Sequence, residues 1–92
     1  MGNITRKLNG LLQNLNSDKI ADVAYRTFKD VTPIDKGNAR RKTRKQGKSV
    51  VADYPYAQRL NEGYSKQAPD GMVEPTIEAI RDYVFKTTGT KI

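Results

Sequence analysis

The sequence predicts an α+β domain in which a small antiparallel sheet with a projecting β-hairpin arm packs against two long helices and one or two short ones. Apolar residues recur at helical spacing in several segments, and a basic segment followed by two valines resembles a hairpin. Stretches that contain Gly and Pro separate these parts. With 92 residues and no internal repeat, the chain forms one small domain, 1–92.

The most regular apolar pattern predicts a helix over 18–31. Its stripe alternates gaps of three and one residues and consists of Ile20, Val23, Ala24, Thr27, Phe28 and Val31. Ser17 precedes it as a suitable N-cap, and Pro33 pushes the residue before it out of helical geometry. A second long helix is predicted from Pro75, a favoured first helical residue, to about Lys86.

Two shorter helices are also predicted. An amphipathic stripe indicates an N-terminal helix that needs a surface to lie on, and a short helix is expected over Tyr56–Asn61. In chain order the predicted parts are the N-terminal helix (1–16), the long helix and a turn (17–38), the hairpin (39–53), the short helix and a loop (54–73), and the final helix and tail (74–92).

The segment Arg40–Lys48 dominates the charge of the chain. The net charge is +7, and this segment supplies six positive charges and no negative one, so the rest of the chain is close to neutral. Its candidate contact residues are Arg40, Arg41, Lys42, Arg44, Lys45 and Lys48. We predict strands over 39–45 and 49–53. Because alternate residues of the first strand leave neither face apolar, we expect that it cannot bury a face in its own chain and that a partner steadies the arm.

The residues alone leave three interpretations of the basic segment open. It is a solvated charged loop, a contact for nucleic-acid phosphates, or a contact for an acidic patch on a neighbouring protein. Tyr54, Tyr56 and Tyr64 flank it. Base stacking is one role for them, but we favour packing at the hairpin base and at a subunit contact, since stacking platforms usually alternate along a strand face.

Composition argues against catalysis. The chain has no Cys and no His, which removes disulfides, thiolate metal sites and the commonest general base. Its acidic residues are scattered, and its glycines form no phosphate-binding loop. We therefore expect no catalytic residue, no cofactor and no metal site. The absence of a long apolar run and of a signal-peptide pattern predicts a protein without membrane association.

Three motifs follow one another in a specific order: Thr-Pro-Ile-Asp-Lys-Gly at 32–37, Tyr-Pro-Tyr-Ala at 54–57 continuing to Gly63, and Gln-Ala-Pro-Asp-Gly-Met at 67–72. Together they resemble the tail-completion (neck, minor tail component) proteins of tailed bacteriophages, over about residues 4–85. The matching positions are Pro33, Asp35, Gly37, Tyr56, Ala57, Gly63, Pro69, Gly71 and Met72. The chain departs from the family pattern at Lys36, where Thr is usual, and at Asn61, where an acid is common.

The resemblance implies a non-enzymatic virion protein at the head–tail junction or the top of the tail. Such a protein assembles in the host cytoplasm and works as a homo-oligomeric ring, for example a hexamer. Its partners would be connector, neck and tail proteins of the same virion and DNA in the channel. The hairpin 39–53 and the loop 63–73 would make most contacts between subunits. The alternative function is a small basic module that binds nucleic-acid phosphates non-specifically.

Overall fold

The computed structural model describes residues 4–32, 41–52, 57–63 and 71–92. In this part of the chain the elements are α1 (Arg6–Leu15), α2 (Asp18–Val31), β1 (Thr43–Gln46), β2 (Ser49–Ala52), α3 (Ala57–Asn61) and α4 (Val73–Thr88). The two strands form an antiparallel hairpin. The predicted α+β fold class, with helices around a small antiparallel sheet, is confirmed.

Helix α2 has the bounds that its apolar stripe predicts. The side-chain oxygen of Ser17 accepts a hydrogen bond from the backbone N–H of Ile20 (3.3 Å), which satisfies one of the donors at the helix start. Thr32 is extended (φ −74°, ψ 131°), as expected for a residue that precedes Pro33. The local signals in the sequence were sufficient here because both ends of the helix are set by adjacent residues.

Helix α4 is longer than predicted at both ends. It begins at Val73, two residues before Pro75, and continues to Thr88, where Gly89 (φ +76°) ends it in the left-handed region. The early start has a non-local cause. The side-chain oxygen of Asn61, at the end of α3, accepts hydrogen bonds from the backbone N–H groups of Met72 and Val73, both at 3.0 Å.

The core lies where α2 packs against α4, with α1 and the hairpin closing one side. Phe28 of α2 and Met72, just before α4, are among its largest fully buried side chains. The cluster of buried apolar residues contains Leu8, Leu12, Ala24, Phe28, Val50, Ala52, Ala57, Met72, Val73, Ile77, Ile80 and Val84. Every described element except the basic strand β1 therefore contributes apolar side chains to one core.

The first strand is shorter than predicted and is not isolated. Arg41 is helical and Lys42 lies in a turn, so the strand begins at Thr43. The expectation that this strand cannot bury a face in its own chain is wrong, because Thr43 is only 3% exposed. It lies opposite Ala52 in the hairpin, and Lys45 lies opposite Val50. Val50 and Ala52 of β2 thus supply the buried face, and the described hairpin rests on α1 and α2 instead of projecting as a free arm.

The joint between α3 and α4 is closely packed around Gly71. This residue has φ +78°, and a Cβ atom placed on it would lie 2.1 Å from the carbonyl oxygen of Asn61. Gly71 therefore lets the chain pass directly over the end of α3. That close approach in turn brings the Asn61 side chain within reach of the N–H groups that open α4.

We expect Gly71→Ala to lower the free energy of unfolding by about 2–3 kcal/mol, because it adds a clash with backbone atoms to a left-handed conformation. Gly10→Ala is the matched control. Gly10 lies in α1, and a Cβ atom placed on it would have no neighbour within 4 Å, so alanine there is expected to stabilise the chain by about 1 kcal/mol. Urea unfolding followed by circular dichroism measures both. Equal effects of the two substitutions would contradict the packing described for Gly71.

Candidate functional site

The basic hairpin is closed by a two-residue loop, Gly47 and Lys48. Gly47 has φ +58°, which glycine adopts without steric cost. A two-residue loop fixes the register, so that Gln46 pairs with Ser49 and Lys45 with Val50. Lys45 and Thr43 therefore share one face of the hairpin, while Arg44 and Gln46 share the other.

Helix α1 holds the outer edge of β2 through a side-chain amide. The Nδ2 group of Asn9 donates to the carbonyl oxygen of Val50 (2.9 Å), and the N–H of Val50 donates to the Oδ1 atom of Asn9 (2.8 Å). These backbone groups point away from β1, as the alternation of an antiparallel ladder requires. Asn9 thus satisfies this edge as a neighbouring strand would. Closer to the turn, Gln13 donates to the hydroxyl of Ser49 (3.1 Å).

Helix α2 holds the other side of the hairpin through three successive contacts. Lys48 pairs with Asp18 (3.6 Å), and Lys45 pairs with Asp22 (2.5 Å). The hydroxyl of Tyr25 then reaches the carbonyl oxygen of Thr43 (3.5 Å). The two steps along α2 are four and three residues, about 6 and 4.5 Å, and the step from Lys45 to Thr43 is two strand residues, about 6.6 Å. We call this series the α2 ladder: Lys48–Asp18, Lys45–Asp22 and Thr43–Tyr25.

The ladder changes the titration of one carboxyl group. The hydrogen-bonded ion pair with Lys45 holds the pKa of Asp22 below its ordinary value of 3.8, and the charge of Arg26 acts in the same direction, while partial desolvation opposes the shift. The carboxylate of Asp22 is therefore favoured in its charged form, and in that form it helps to hold the hairpin against α2.

The structure separates the six cations of the basic segment. Lys45 and Lys48 are partly buried, with 28% and 31% of their side chains exposed, and both are bonded to α2 of their own chain. Arg41, Lys42 and Arg44 are exposed, whereas Arg40 lies outside the described residues. Lys42 directly precedes β1 and Arg44 lies within it, and we base the candidate interface on these two exposed residues.

Some of the motif positions that carry the phage resemblance lie within the described residues and others lie outside them. Ala57 and Met72 are fully buried in the same core cluster, Gly71 lies against Asn61, and Gly63 has φ +90°. The described positions act locally, in the joint between α3 and α4. Five further motif positions, and two of the tyrosines that flank the basic segment, lie outside the described residues: Pro33, Asp35, Gly37, Tyr56 and Pro69, with Tyr54 and Tyr64.

Sequence reasoning missed the residues that hold the hairpin against α1 and α2. Asn9 and Tyr25 look like ordinary polar positions on helices, and neither carries a pattern that indicates a strand partner. Asp18 and Asp22 did carry a signal, since carboxylates four residues apart on one helix match the cations Lys45 and Lys48 at the end of a hairpin.

Other kinds of site find no support in the part of the chain that the structure describes. No group of three or more His, Cys, Asp or Glu side chains there could hold a metal ion. Within the same ranges, no helix is long and apolar enough to cross a membrane. Comparison with protein-family models, with curated proteins and with solved structures finds no match.

The bonds of Asn9 predict a specific loss of stability. Asn9→Ala leaves the N–H and C=O groups of a buried residue, Val50, without their partners, so we expect the free energy of unfolding to fall by about 1–3 kcal/mol. Asn14→Ala, at an exposed position of the same helix, is the matched control and is expected to be neutral or slightly stabilising. Thermal and urea unfolding measure the difference, and similar losses in both variants would refute the role given to Asn9.

The ion pair of Asp22 predicts a pH dependence. Because its pKa is lower in the folded than in the unfolded chain, its contribution is present above the ordinary value of 3.8 and is lost as the pH falls through the folded value. We expect Asp22→Asn to destabilise the chain at pH 7, and the difference from wild type to shrink as the pH falls below the ordinary value of 3.8. Asp82→Asn removes a carboxylate from a local pair with Lys86 and controls for net charge. Unfolding by urea between pH 2.5 and 7 tests this; a difference as large at the lowest pH as at pH 7 would contradict it.

Proposed function

We propose that the chain is a structural subunit of a tailed-bacteriophage neck, a tail-completion protein that acts by assembling into a ring and not by catalysis. The observation that carries the proposal is the joint between α3 and α4. Two motif positions on either side of this joint, Ala57 and Met72, are both buried in the core cluster of the domain, and Gly71 lies against Asn61. The burial of both supports treating the motifs as parts of one structural unit.

The departure at Asn61 is consistent with this proposal. An acid is common at this position in the family, and a carboxylate would accept the same two backbone hydrogen bonds from Met72 and Val73 that the Asn61 amide accepts here. A negative charge at a helix N-terminus is also favourable. The substitution thus keeps the geometry of the joint, and the change to Asn removes only the charge.

The distribution of charge supports assembly with other molecules. Within the described ranges, Asp18, Asp22, Glu74 and Asp82 are each bonded to a lysine of the same chain. The chain nevertheless has a net charge of +7, so a surplus of cations faces outward. In a ring, repeated copies would present this surplus around a common axis, and head-to-tail contacts that close by rotation generate such a ring.

Two measurements test the proposal. We expect an epitope-tagged chain, made in a host that carries the phage, to copurify with tailed particles, and electron microscopy with a labelled antibody to place it at the head–tail junction. Lysates in which the chain is not made should contain separate heads and tails, and the wild-type chain should restore joined particles. A strictly monomeric protein that is absent from particles would overturn the proposal.

The second candidate function, a free nucleic-acid-binding module, is favoured by one observation, the exposure of Lys42 and Arg44. It differs from the first in what it requires of the protein. A free module binds DNA as a monomer and needs no place in the virion, so the particle measurements distinguish the two.

A further inference from the structure

The end of α4 and the tail that follows it form a cleft of about 280 Å³. The residues that line it are Arg81, Asp82, Phe85, Lys91 and Ile92. Among the described residues, the large apolar side chains that are exposed are Phe85 (47%) and Ile92 (43%), and both line this cleft. The exposed large apolar side chains of the described chain are therefore gathered at one place.

Phe85 is exposed because it lies off the apolar stripe of α4. The buried residues of this helix recur at gaps of three, one, three and four residues: Val73, Thr76, Ile77, Ile80 and Val84. Phe85 follows Val84 by one residue, which rotates it about 100° around the helix axis. Packing within the described chain therefore does not account for an aromatic ring here, and a partner that covers the ring gains its burial.

Hydrogen bonds hold the tail against the end of α4. Gly89 is in the left-handed region (φ +76°), and its N–H donates to the carbonyl oxygen of Phe85 (2.7 Å). The hydroxyl of Thr88 donates to the carbonyl oxygen of Val84 (2.7 Å) and accepts from the N–H of Thr90 (3.1 Å). These bonds turn the chain out of the helical path, and residues 91 and 92 line the same cleft as the last turns of α4.

The cleft carries an excess of positive charge. Arg81 and Lys91 form no ion pair with any residue that the structure describes, whereas Asp82 is bonded to Lys86 (3.0 Å). Glu78 is exposed and precedes Arg81 by three residues, but it forms no ion pair with it. Long cationic side chains lay their aliphatic stems on apolar surface and keep their charged ends in water. The cleft thus combines apolar walls with two cations that can receive an anion.

These features favour a peptide that is both apolar and acidic. Sites for small molecules usually measure about 300–1,000 Å³, so this cleft suits one or two side chains. Proteins that stack nucleic-acid bases usually do so on the strands of a sheet, whereas Phe85 lies on a helix beside Ile92. A second copy is disfavoured by repulsion, because the chain has a net charge of +7 and four of its acids are already bonded to lysines: Asp18, Asp22, Glu74 and Asp82.

We propose that this cleft binds a segment of a different, acidic protein. A large apolar side chain of the segment inserts between Phe85 and Ile92, and a neighbouring carboxylate pairs with Arg81 and Lys91. Apolar contact supplies most of the affinity, and the exposed ion pairs add a smaller part that depends on salt. The inference goes beyond the neck function and does not rest on it, since the basic hairpin takes no part in this site.

NMR spectroscopy of the full ¹⁵N-labelled chain tests the inference. The probe is a blocked peptide, Gly-Glu-Asp-Leu-Phe-Asp-Glu-Gly. We expect its addition to shift the amide signals of Phe85, Gly89 and Lys91 most, with a Kd on the order of 1 mM. Two matched peptides separate the contributions, one with Ala for both apolar residues and one with Gln and Asn for the acids. Each is expected to bind at least fivefold more weakly than the probe.

Variants of the cleft give the second measurement. Phe85→Ala is expected to weaken binding about tenfold, because the ring forms one wall, and Phe85→Leu, which keeps an apolar side chain, by less than about threefold. Arg81→Gln is expected to weaken binding about threefold at low salt and to have little effect in about 0.5 M NaCl. Melting curves establish that each variant remains folded.

The matched control is Arg6→Gln, which removes the same charge from another exposed arginine on a helix. Its neighbour Lys7 is bonded to Glu74 in the first turn of α4, so Arg6 lies near the end of α4 opposite to the cleft. We expect this variant to bind the probe within about 1.5-fold of the wild type.

Four results would overturn the inference. The control could weaken binding as much as Arg81→Gln does, which would show a general effect of charge. The peptide with Ala could bind as tightly as the probe, which would show that no apolar side chain enters the cleft. A single-stranded oligo-dT could shift the same signals at lower concentration, which would indicate nucleic acid. The signal of Phe85 could move with the concentration of the chain alone, which would indicate a second copy. The presence of the chain in phage particles is measured separately, so the failure of either proposal leaves the other standing.

Discussion

The pair of hydrogen bonds between the Asn9 amide and the backbone of Val50 is the interaction on which the hairpin depends. A two-stranded hairpin with four residues in each strand is barely stable alone in water, and its outer edges expose unpaired backbone groups. Asn9 satisfies one of those edges from α1. Val50 is thereby held where its side chain can be fully buried, and the apolar residues of β2 join the core that α2 and α4 form.

A second amide has the same kind of role in the joint between α3 and α4. Asn61 ends α3 and supplies the hydrogen-bond acceptor that starts α4, while Gly71 allows the chain to pass close enough for this contact. Two short polar side chains thus make joints between elements that lie far apart in the sequence. In a small domain with a limited core, such directional bonds decide which of several packings the helices adopt.

The sequence was sufficient for features that depend on adjacent residues. The stripe of α2, the cap at Ser17 and the restriction imposed by Pro33 are local, and the helix has the predicted bounds. The start of α4 was missed because its cap comes from Asn61. The packing of the hairpin against the helices was missed because the neighbours of Thr43 in the sequence are charged. Its burial depends on residues of β2 and on the helices, which are distant in the sequence. The basic segment was recognised as the candidate site. Which of its cations pair within the chain could not be predicted, because the partners of Lys45 and Lys48 lie on α2.

The neutral character of the Asn9 contact has a consequence for how ionic strength acts on the protein. Dissolved salt screens exposed charges strongly, so the ion pairs that Lys45 and Lys48 make with Asp22 and Asp18 weaken in concentrated electrolyte. A bond between an amide and a peptide group carries no net charge and is nearly indifferent to that screening. The contact between α1 and β2 would therefore persist at ionic strengths that loosen the contacts between α2 and the hairpin.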